Sequence, residues 1–333
     1  WEISYRLLEP TGVIGVIGSG RKTIALRADI DALKIREETD LPFQSQNTEC
    51  MHACAHDGHT AILLAAAKIL KEHEKELDRR IMLVFQPAEE TAQGAADVIG
   101  TGILDQSDRI FGLHIFSGIE KGKISLESGP RMASTNWFSI RIAGKSGHAG
   151  KPHECVDAGI AAAALVMNLQ TLISRNIDPL DDAVLTIGRL EAGTARNVIA
   201  GEAVLEGTVR TFSKEVEEQI RERMEEMVEA TASMYRVETS LDFQQASHPA
   251  LKNDQTAVAE AMRKAGEVFK EKDFIHVPPM MLGEDFANYL GELTGCFAFI
   301  GGGGKYPNHH SCFDFDEDVL VQGVKLMLVF GLS

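Results

Sequence analysis

Basic side chains are in short supply. The 33 Lys and Arg are outnumbered by 49 Asp and Glu, leaving a formal charge of −16 with histidine neutral. No Lys/Arg cluster relieves that field locally, so phosphate backbones and anionic lipid are repelled and nucleic acid is excluded as a partner. Long apolar runs are also missing. The longest, residues 158–167, falls well short of the roughly 20 residues a membrane helix needs, and no bilayer-spanning segment is expected. Cysteine is sparse and odd in number: Cys50, Cys54, Cys155, Cys296 and Cys312 are too few for a disulfide scaffold. A reducing compartment, the cytoplasm, is therefore expected. From Trp1 through Arg6 to Glu9 no basic stretch leads into an apolar core, so no signal peptide is read in the chain. What is present is ordinary for a folded protein: 44% hydrophobic, 25% charged and 30 glycines over 333 residues. That composition excludes disorder and collagen-like structure and fits about two domains.

Short apolar runs at 23–28, 80–85 and 110–116 are predicted buried strands, and helical spacing begins at 60 and runs to 77. Strands separated by helices predict an α/β domain with a largely parallel sheet. After Gly129-Pro130 the texture changes. Residues 136–143 alternate; a helix at 156–173, strands at 183–190 and 203–212, a charged helix at 214–235 and a strand at 237–243 follow. That β-α-β-β-α-β order is the ferredoxin-like arrangement of an α+β unit. Residues 133–245 are accordingly predicted to be an inserted domain, with 1–132 and 246–333 forming the two parts of the first.

Within 51–60 the run Met-His-Ala-Cys-Ala-His-Asp-Gly-His-Thr packs three His, one Cys and one Asp just ahead of a helix. Soft and borderline ligands next to an orienting carboxylate make this a candidate metal site. Gln86-Pro87-Ala88-Glu89-Glu90 follows directly on a predicted strand, at the carboxyl end where open α/β sheets place their active sites. Adjacent carboxylates point in different directions, so one can bind metal while the other holds a water. His114 lies late in the third strand, and His309-His310 follow the glycine turn 301–304 after another strand; spacing alone does not choose between the two. Each of these alone reads as a capped helix start, a solvated acidic loop, a satisfied core histidine or a polar turn. Four segments converging on the same chemistry point instead to a hydrolytic metal centre.

These segments, together with Ala25–Leu33 (Ala-Leu-Arg-Ala-Asp-Ile-Asp-Ala-Leu), Gly147-His148-Ala149-Gly150-Lys151-Pro152-His153, Arg196-Asn197-Val198-Ile199, Gly207-Thr208-Val209-Arg210 and Glu284-Asp285-Phe286, resemble in order the motifs of the aminoacylase/carboxypeptidase family of dinuclear metallopeptidases. The likeness is greatest to the amidohydrolase branch, which acts on N-acyl amino acids. It implies a mixed-sheet zinc-peptidase-like catalytic domain carrying the inserted unit, and a further N-terminal stretch ahead of Trp1. It also implies two divalent ions bridged by Cys54, one completed by His56 and His114 and the other by Glu90 and His309. Glu89 falls on the general base, His148 on the group that polarises the scissile carbonyl, and Asn197 and Arg210 on substrate contacts, with Arg210 facing the amino-acid carboxylate. A homodimer formed through the inserted domain is part of the same expectation. Ala55 and Ala200 stand where glycine and proline are usual, Ser311-Cys312 where proline is usual, and Arg27 where the wider family has histidine two positions before Asp29. His52, His59 and His153 are left as supporting residues.

Ligand softness favours zinc, with Mn, Co or Ni accepting the same set. The expected reaction is hydrolysis of the amide of a small N-acyl-L-amino acid to a carboxylic acid and a free amino acid. The rival expectations are a dipeptidase or carboxypeptidase of the same family, and a metal-binding protein without turnover. Glu89, which binds no metal in this scheme, is hard to place in the last.

Overall fold

The computed structural model describes residues 2–244 and 248–333. In chain order the first part runs β1 (Ser4–Leu7), β2 (Val13–Ile17), β3 (Thr23–Asp29), α1 (His56–Glu72), β4 (Arg80–Gln86), α2 (Gly94–Gly100), β5 (Arg109–Phe116), β6 (Ile124–Ser125) and β7 (Gly129–Met132). Next come β8 (Asn136–Ala143), β9 (Gly147–His148), α3 (Ala158–Asn176), β10 (Ala183–Ala192), β11 (Val198–Ile199), β12 (Glu202–Thr211), α4 (Lys214–Tyr235) and β13 (Glu238–Phe243). The chain closes with β14 (Leu251–Asn253), α5 (Gln255–Ala265), α6 (Phe286–Glu292), β15 (Thr294–Gly301) and α7 (Val319–Gly331).

Two compact units result. The larger comprises Trp1–Arg131, Leu251–Pro279 and Glu284–Ser333; the smaller comprises Met132–Ala250 and Met280–Gly283. The expected boundary between 245 and 246 falls outside the described residues. The return of Met280–Gly283 to the smaller unit was not expected from sequence. Its cause is backbone pairing, because the Ala133 N–H donates to the carbonyls of Met280 and Leu282 at 3.1 and 2.9 Å.

The larger unit is built on a mixed sheet in the order β1-β2-β4-β3-β5-β15-β6. Its centre is parallel: β3 pairs with β4 and β5, and β5 with β15. Those four strands are buried along nearly their whole length, which is why they read as continuous apolar runs rather than as alternation. The antiparallel edge made by β1 and β2 was not anticipated, although β2 is itself a short apolar run, Val-Ile-Gly-Val-Ile. Helix α1 begins at His56, four residues before the onset of its apolar periodicity, because Ala55 takes a left-handed conformation (φ 65°) at its N-cap. Ile62, Leu63, Ala66, Ala67 and Leu70 then face a core shared with Leu326, Met327 and Phe330 of α7.

In the smaller unit the sheet order is β10-β12-β8-β13, all antiparallel, the ferredoxin-like connectivity. Helix α3 is long and apolar enough to cross a bilayer by length and composition, yet Ala161, Ala162, Leu165, Leu169 and Leu172 are buried in a core with Ile140, Ile142 and Leu205 of the sheet. It is the core helix of this unit.

One buried polar assembly sits where the central strands of the larger unit end. Arg27, fully buried on β3, reaches Asp29 (2.7 Å), Glu284 (3.0 Å) and Asp285 (2.8 Å) and donates Nε–H to Gln86 Oε1 of β4 at 2.9 Å. Gln86 in turn donates to both Asp285 oxygens and accepts the Tyr289 hydroxyl. Burial opposes the guanidinium charge, but Glu284, Asp29 and Asp285 outweigh it and hold Arg27 firmly protonated. Burial, reinforced by its neighbouring carboxylates, pushes Glu284 up to about 8 against the pull of Arg27.

From Asp29 the chain of contacts continues to His59 Nδ1 of α1 at 2.6 Å, and His59 Nε2 accepts the backbone N–H of Ile115 on β5 at 2.9 Å. A backbone N–H is always a donor, so Nε2 is bare and the His59 proton lies on Nδ1. Removing one charge from such an assembly strands its partners in a dry interior, at a cost of about 3–5 kcal/mol. Arg27→Met should therefore lower stability by that amount in urea unfolding; a variant within about 1 kcal/mol of the parent would show that the assembly is not a structural keystone.

Candidate metal centre

The carboxyl ends of β3, β4, β5 and β15 lie along one edge of the sheet, since the four are parallel, and the loops leaving them carry the candidate residues. After β4 the chain turns back sharply. Ala88 and Ala92 have positive φ (60° and 54°), and a Cβ on Gly94 would lie 1.7 Å from the Pro87 carbonyl oxygen, so only glycine closes this loop. The turn presents Glu89 and Glu90, both half-buried.

Cys54 is the centre of the constellation. Its Sγ lies 3.3 Å from His114 Nε2 and 3.2 Å from His309 Nε2, and His309 Nε2 lies 3.4 Å from Glu90 Oε1. Donor atoms of Cys54, His56 and His114 fall within 4.8 Å of one another, as do those of Cys54, Glu90 and His309 and those of His56, Glu89 and Glu90. The structure thus brings together Cys54, His56, Glu89, Glu90, His114 and His309. It also separates the two adjacent histidines. His309, at φ 69°, donates its backbone N–H to the Ala53 carbonyl at 2.7 Å and faces the thiol. His310 stacks on Tyr306 and accepts the Cys312 N–H at Nδ1. The Cys312 thiol is turned to the Glu38 carbonyl.

Ring orientation follows from the partners on the far side of each imidazole. His114 Nδ1 sits 2.9 Å from the Ile115 carbonyl, which only accepts, so the proton is on Nδ1 and the lone pair of Nε2 faces Cys54. His56 Nδ1 faces the Asp31 carbonyl (3.1 Å) and Asp31 Oδ1 (3.2 Å), so Nδ1 carries a proton, and Nε2, 3.7 Å from Asp29 Oδ2, is the nitrogen a cation would bind by displacing the second proton. Asp31 Oδ2 also accepts the Glu90 backbone N–H at 3.0 Å, so one carboxylate positions two candidate ligands. Asn308 donates to the Ile115 carbonyl and the Cys54 sulfur.

Two buried side-chain atoms in this cluster, His56 Nε2 and Glu90 Oε1, have no hydrogen-bond partner among the described residues. Buried polar atoms are rarely left so. Their electrostatic setting is equally lopsided. Burial and the carboxylates of Glu90, Glu89 and Asp29 push the Cys54 thiol well up. For His56, burial opposes the charge, but Asp29, Asp31 and Glu90 prevail and push it up to about 9. Glu89 is pushed up by burial and then by Glu284 and Asp285. Deprotonable soft and hard donors, crowded around one thiol, are what divalent cations require, and the residues fit two of them.

The remaining sequence candidates belong to the smaller unit. His148 is exposed on β9, paired with Val198 of β11; its Nδ1 accepts the Gly150 N–H at 3.0 Å, leaving Nε2 as the protonated nitrogen. The Asn197 carbonyl accepts the Ala149 N–H at 3.2 Å, and Arg210 Nη1 donates to the Met281 carbonyl at 3.0 Å. Of the three histidines left as supporting residues, His59 is fully buried in the Arg27 assembly, His52 contacts the Asp31 carbonyl, and His153 is exposed beside Glu154. Sequence reasoning assigned no role to Asp31, Asn308, Glu284 or Asp285. Arg27 and Asp29 did carry a signal, since opposite charges two residues apart share one face of a strand that is otherwise apolar.

The chain is 42% identical over 314 residues to N-acetyl-L-cysteine deacetylase of Bacillus subtilis (strain 168), covering 94% of this chain and 75% of that protein. It is 36% identical over 334 residues to IAA-amino acid hydrolase ILR1-like 4 of Arabidopsis thaliana, covering 97% and 76%. The crystal structure of the Bacillus subtilis YXEP protein, described as a dinuclear metal binding peptidase from the M20 family, superposes with a TM-score of 0.86 at 35% identity, covering 99% of this chain and 87% of that one. The profile of Peptidase family M20/M25/M40 matches residues 25–330, and the chain belongs to that family.

Proposed function

We propose that the protein hydrolyses the amide bond of N-acyl-L-amino acids, releasing a carboxylic acid and a free amino acid. The observation that carries this reading is the pair of buried side-chain atoms without a hydrogen-bond partner among the described residues, His56 Nε2 and Glu90 Oε1, each grouped with Cys54 and with Glu89 beside them. The names of the relatives, a deacetylase of N-acetyl-L-cysteine and a hydrolase of IAA-amino acids, support the substrate class. Cys54 would hold both ions, with His56 and His114 completing one and Glu90 and His309 the other. Zinc suits a thiolate with imidazoles best, and Mn, Co and Ni suit the same donors. When bound, such ions acidify water and polarise a carbonyl.

Glu89 is the carboxylate next to this set that has no ligand role, and its environment favours holding a proton. It takes one proton from the attacking water as oxygen bonds to the acyl carbon. As the C–N bond breaks, it returns that proton to the departing nitrogen, so the amine leaves neutral. His148 offers Nε2–H to the oxygen that gains charge, a donor whose orientation Gly150 fixes in advance. Arg210 faces the amino-acid carboxylate and Asn197 lines the substrate. We further assign a homodimer through the smaller unit, with His148 acting in the partner's site, and a cytoplasmic location whose reducing conditions keep Cys54 a thiol.

Chelation should abolish the amidase activity. By elemental analysis Cys54→Ala should lose more metal than any other ligand change, because it serves both ions; two equivalents retained in that variant would contradict the bridging assignment. Glu89→Gln keeps shape but cannot take the proton, so kcat should drop by roughly 10²-fold with metal content intact. Loss of metal, or near-normal kcat, would mean that the roles of Glu89 and Glu90 are reversed. Mixed subunits test the shared site. Glu89→Gln and His148→Ala chains should each be inactive alone yet regain activity as heterodimers, where one site has both residues intact. Confirmed heterodimers without recovered activity would place His148 in its own subunit's site.

A further inference from the structure

Two of the carboxylates gathered around Arg27 have every oxygen supplied with a donor. Asp29 takes the Arg27 guanidinium on Oδ2 and the His59 proton on Oδ1. Asp285 takes Arg27 and Gln86 on Oδ1, and Gln86 and the Ala95 N–H on Oδ2. Both are therefore held as anions, and together they already exceed the charge of Arg27. Glu284 differs. It is 1% exposed, and its contacts with Arg27 Nη2 and with the Phe286 N–H, each at 3.0 Å, both fall on Oε1. Among the described residues no hydrogen bond reaches its Oε2.

One further carboxylate lies close. Oxygens of Glu89, Glu284 and Asp285 fall within 4.8 Å of one another. Carboxylates so near one another in a dry site, with the local cation already matched, do not all ionise, and a proton is shared. Asp285 is saturated with donors and has no use for it. Glu284 has an oxygen free to carry it, and Glu89 offers an acceptor. Burial, helped by Asp29 and Asp285 and opposed by Arg27, pushes Glu284 up to about 8. The charged and titratable groups around Glu284 are Arg27 and Asp29 on β3, Glu89 on the turn after β4, the adjacent Asp285, and Tyr289 on α6. All of them belong to the larger unit.

We propose that Glu284 is the positioning residue of the Glu89 base: as a neutral acid it donates its Oε2 proton to one oxygen of Glu89 and leaves the other oxygen to face the attacking water. The proposal rests on the hydrolase reading above. Glu284 is itself clamped through Oε1, so the hydrogen bond transmits the rigidity of the Arg27 assembly to a carboxylate that otherwise swings on a flexible stem. A carboxylic acid kept neutral by its surroundings is suited to donate in this way. The donor is present below about pH 8 and is lost as pH rises through that value, so kcat should fall on the alkaline side.

Zinc-loaded enzyme acting on N-acetyl-L-alanine tests this. Glu284→Met cannot donate, and its kcat should fall about 10-fold, the worth of one hydrogen bond to a charged group, with KM and zinc content unchanged. Glu284→Gln accepts through Oε1 and donates through Nε2, so it should restore most of that loss and remove the alkaline fall seen in the wild type. Unchanged kcat or loss of zinc in Glu284→Met, a Glu284→Gln enzyme as slow as Glu284→Met, or the same alkaline fall in Glu284→Gln and wild type would overturn the proposal. Infrared difference spectra of the wild type against Glu284→Gln at neutral pH read the proton without turnover: the carbonyl stretch of a protonated carboxylic acid should be lost in the variant, and its absence from the wild type would also overturn the proposal. Failure of the hydrolase reading is distinguishable, since a wild-type protein that shows this band yet cleaves no N-acyl amino acid refutes the reaction and keeps the hydrogen bond between Glu284 and Glu89.

Discussion

The whole arrangement hangs on one buried guanidinium. Arg27 is the cation that lets Asp29, Glu284 and Asp285 exist together in a dry interior, and through them it fixes elements far apart in sequence. Asp29 passes the constraint to His59 on α1, and His59 passes it to the backbone of β5 beside His114. Gln86 passes it to the end of β4, from which the Glu89–Glu90 turn departs. Buried ion clusters are seldom a net source of stability. Here the geometry gives the cluster a different use, which is to set the relative positions of three elements that carry candidate ligands.

The charge balance of the larger unit has a second consequence. Arg27 is committed to its own carboxylates, and around Cys54 burial and then the carboxylates of Glu90, Glu89 and Asp29 push the thiol up. The donors are ready in every other respect. His56 and His114 each have the outer nitrogen tied to an acceptor, which turns the other nitrogen inward, and Asp31 holds His56 and Glu90 in one arrangement. Preorganisation of this kind lowers the cost of metal binding because little has to move.

Much of this was legible in the sequence, for reasons that can be named. The central strands announced themselves because they are buried on both faces, and the 51–60 segment because its ligand density has no easy structural explanation. The start of α1 was misplaced because Ala55 adopts a conformation that alanine rarely takes, and pattern reading assigns φ by residue type. His309 and His310 could not be separated by spacing, since the choice is made by the backbone conformation of His309 and by the stacking of His310 on Tyr306. The edge strand β1 escaped notice because it is exposed throughout, and its neighbour β2, though apolar, because it is only five residues long with Gly15 at its centre. Arg27 passed for a replaced histidine because its three carboxylate partners are scattered between positions 29 and 285, a convergence only the fold produces.

Anomalous diffraction from zinc-loaded protein tests the central claim most directly. The account predicts two peaks, both about 2.3 Å from the Cys54 sulfur as zinc–thiolate bonds require, one also bonded to His56 and His114 and the other to Glu90 and His309. A single peak, or a pair in which Cys54 touches only one ion, would contradict it.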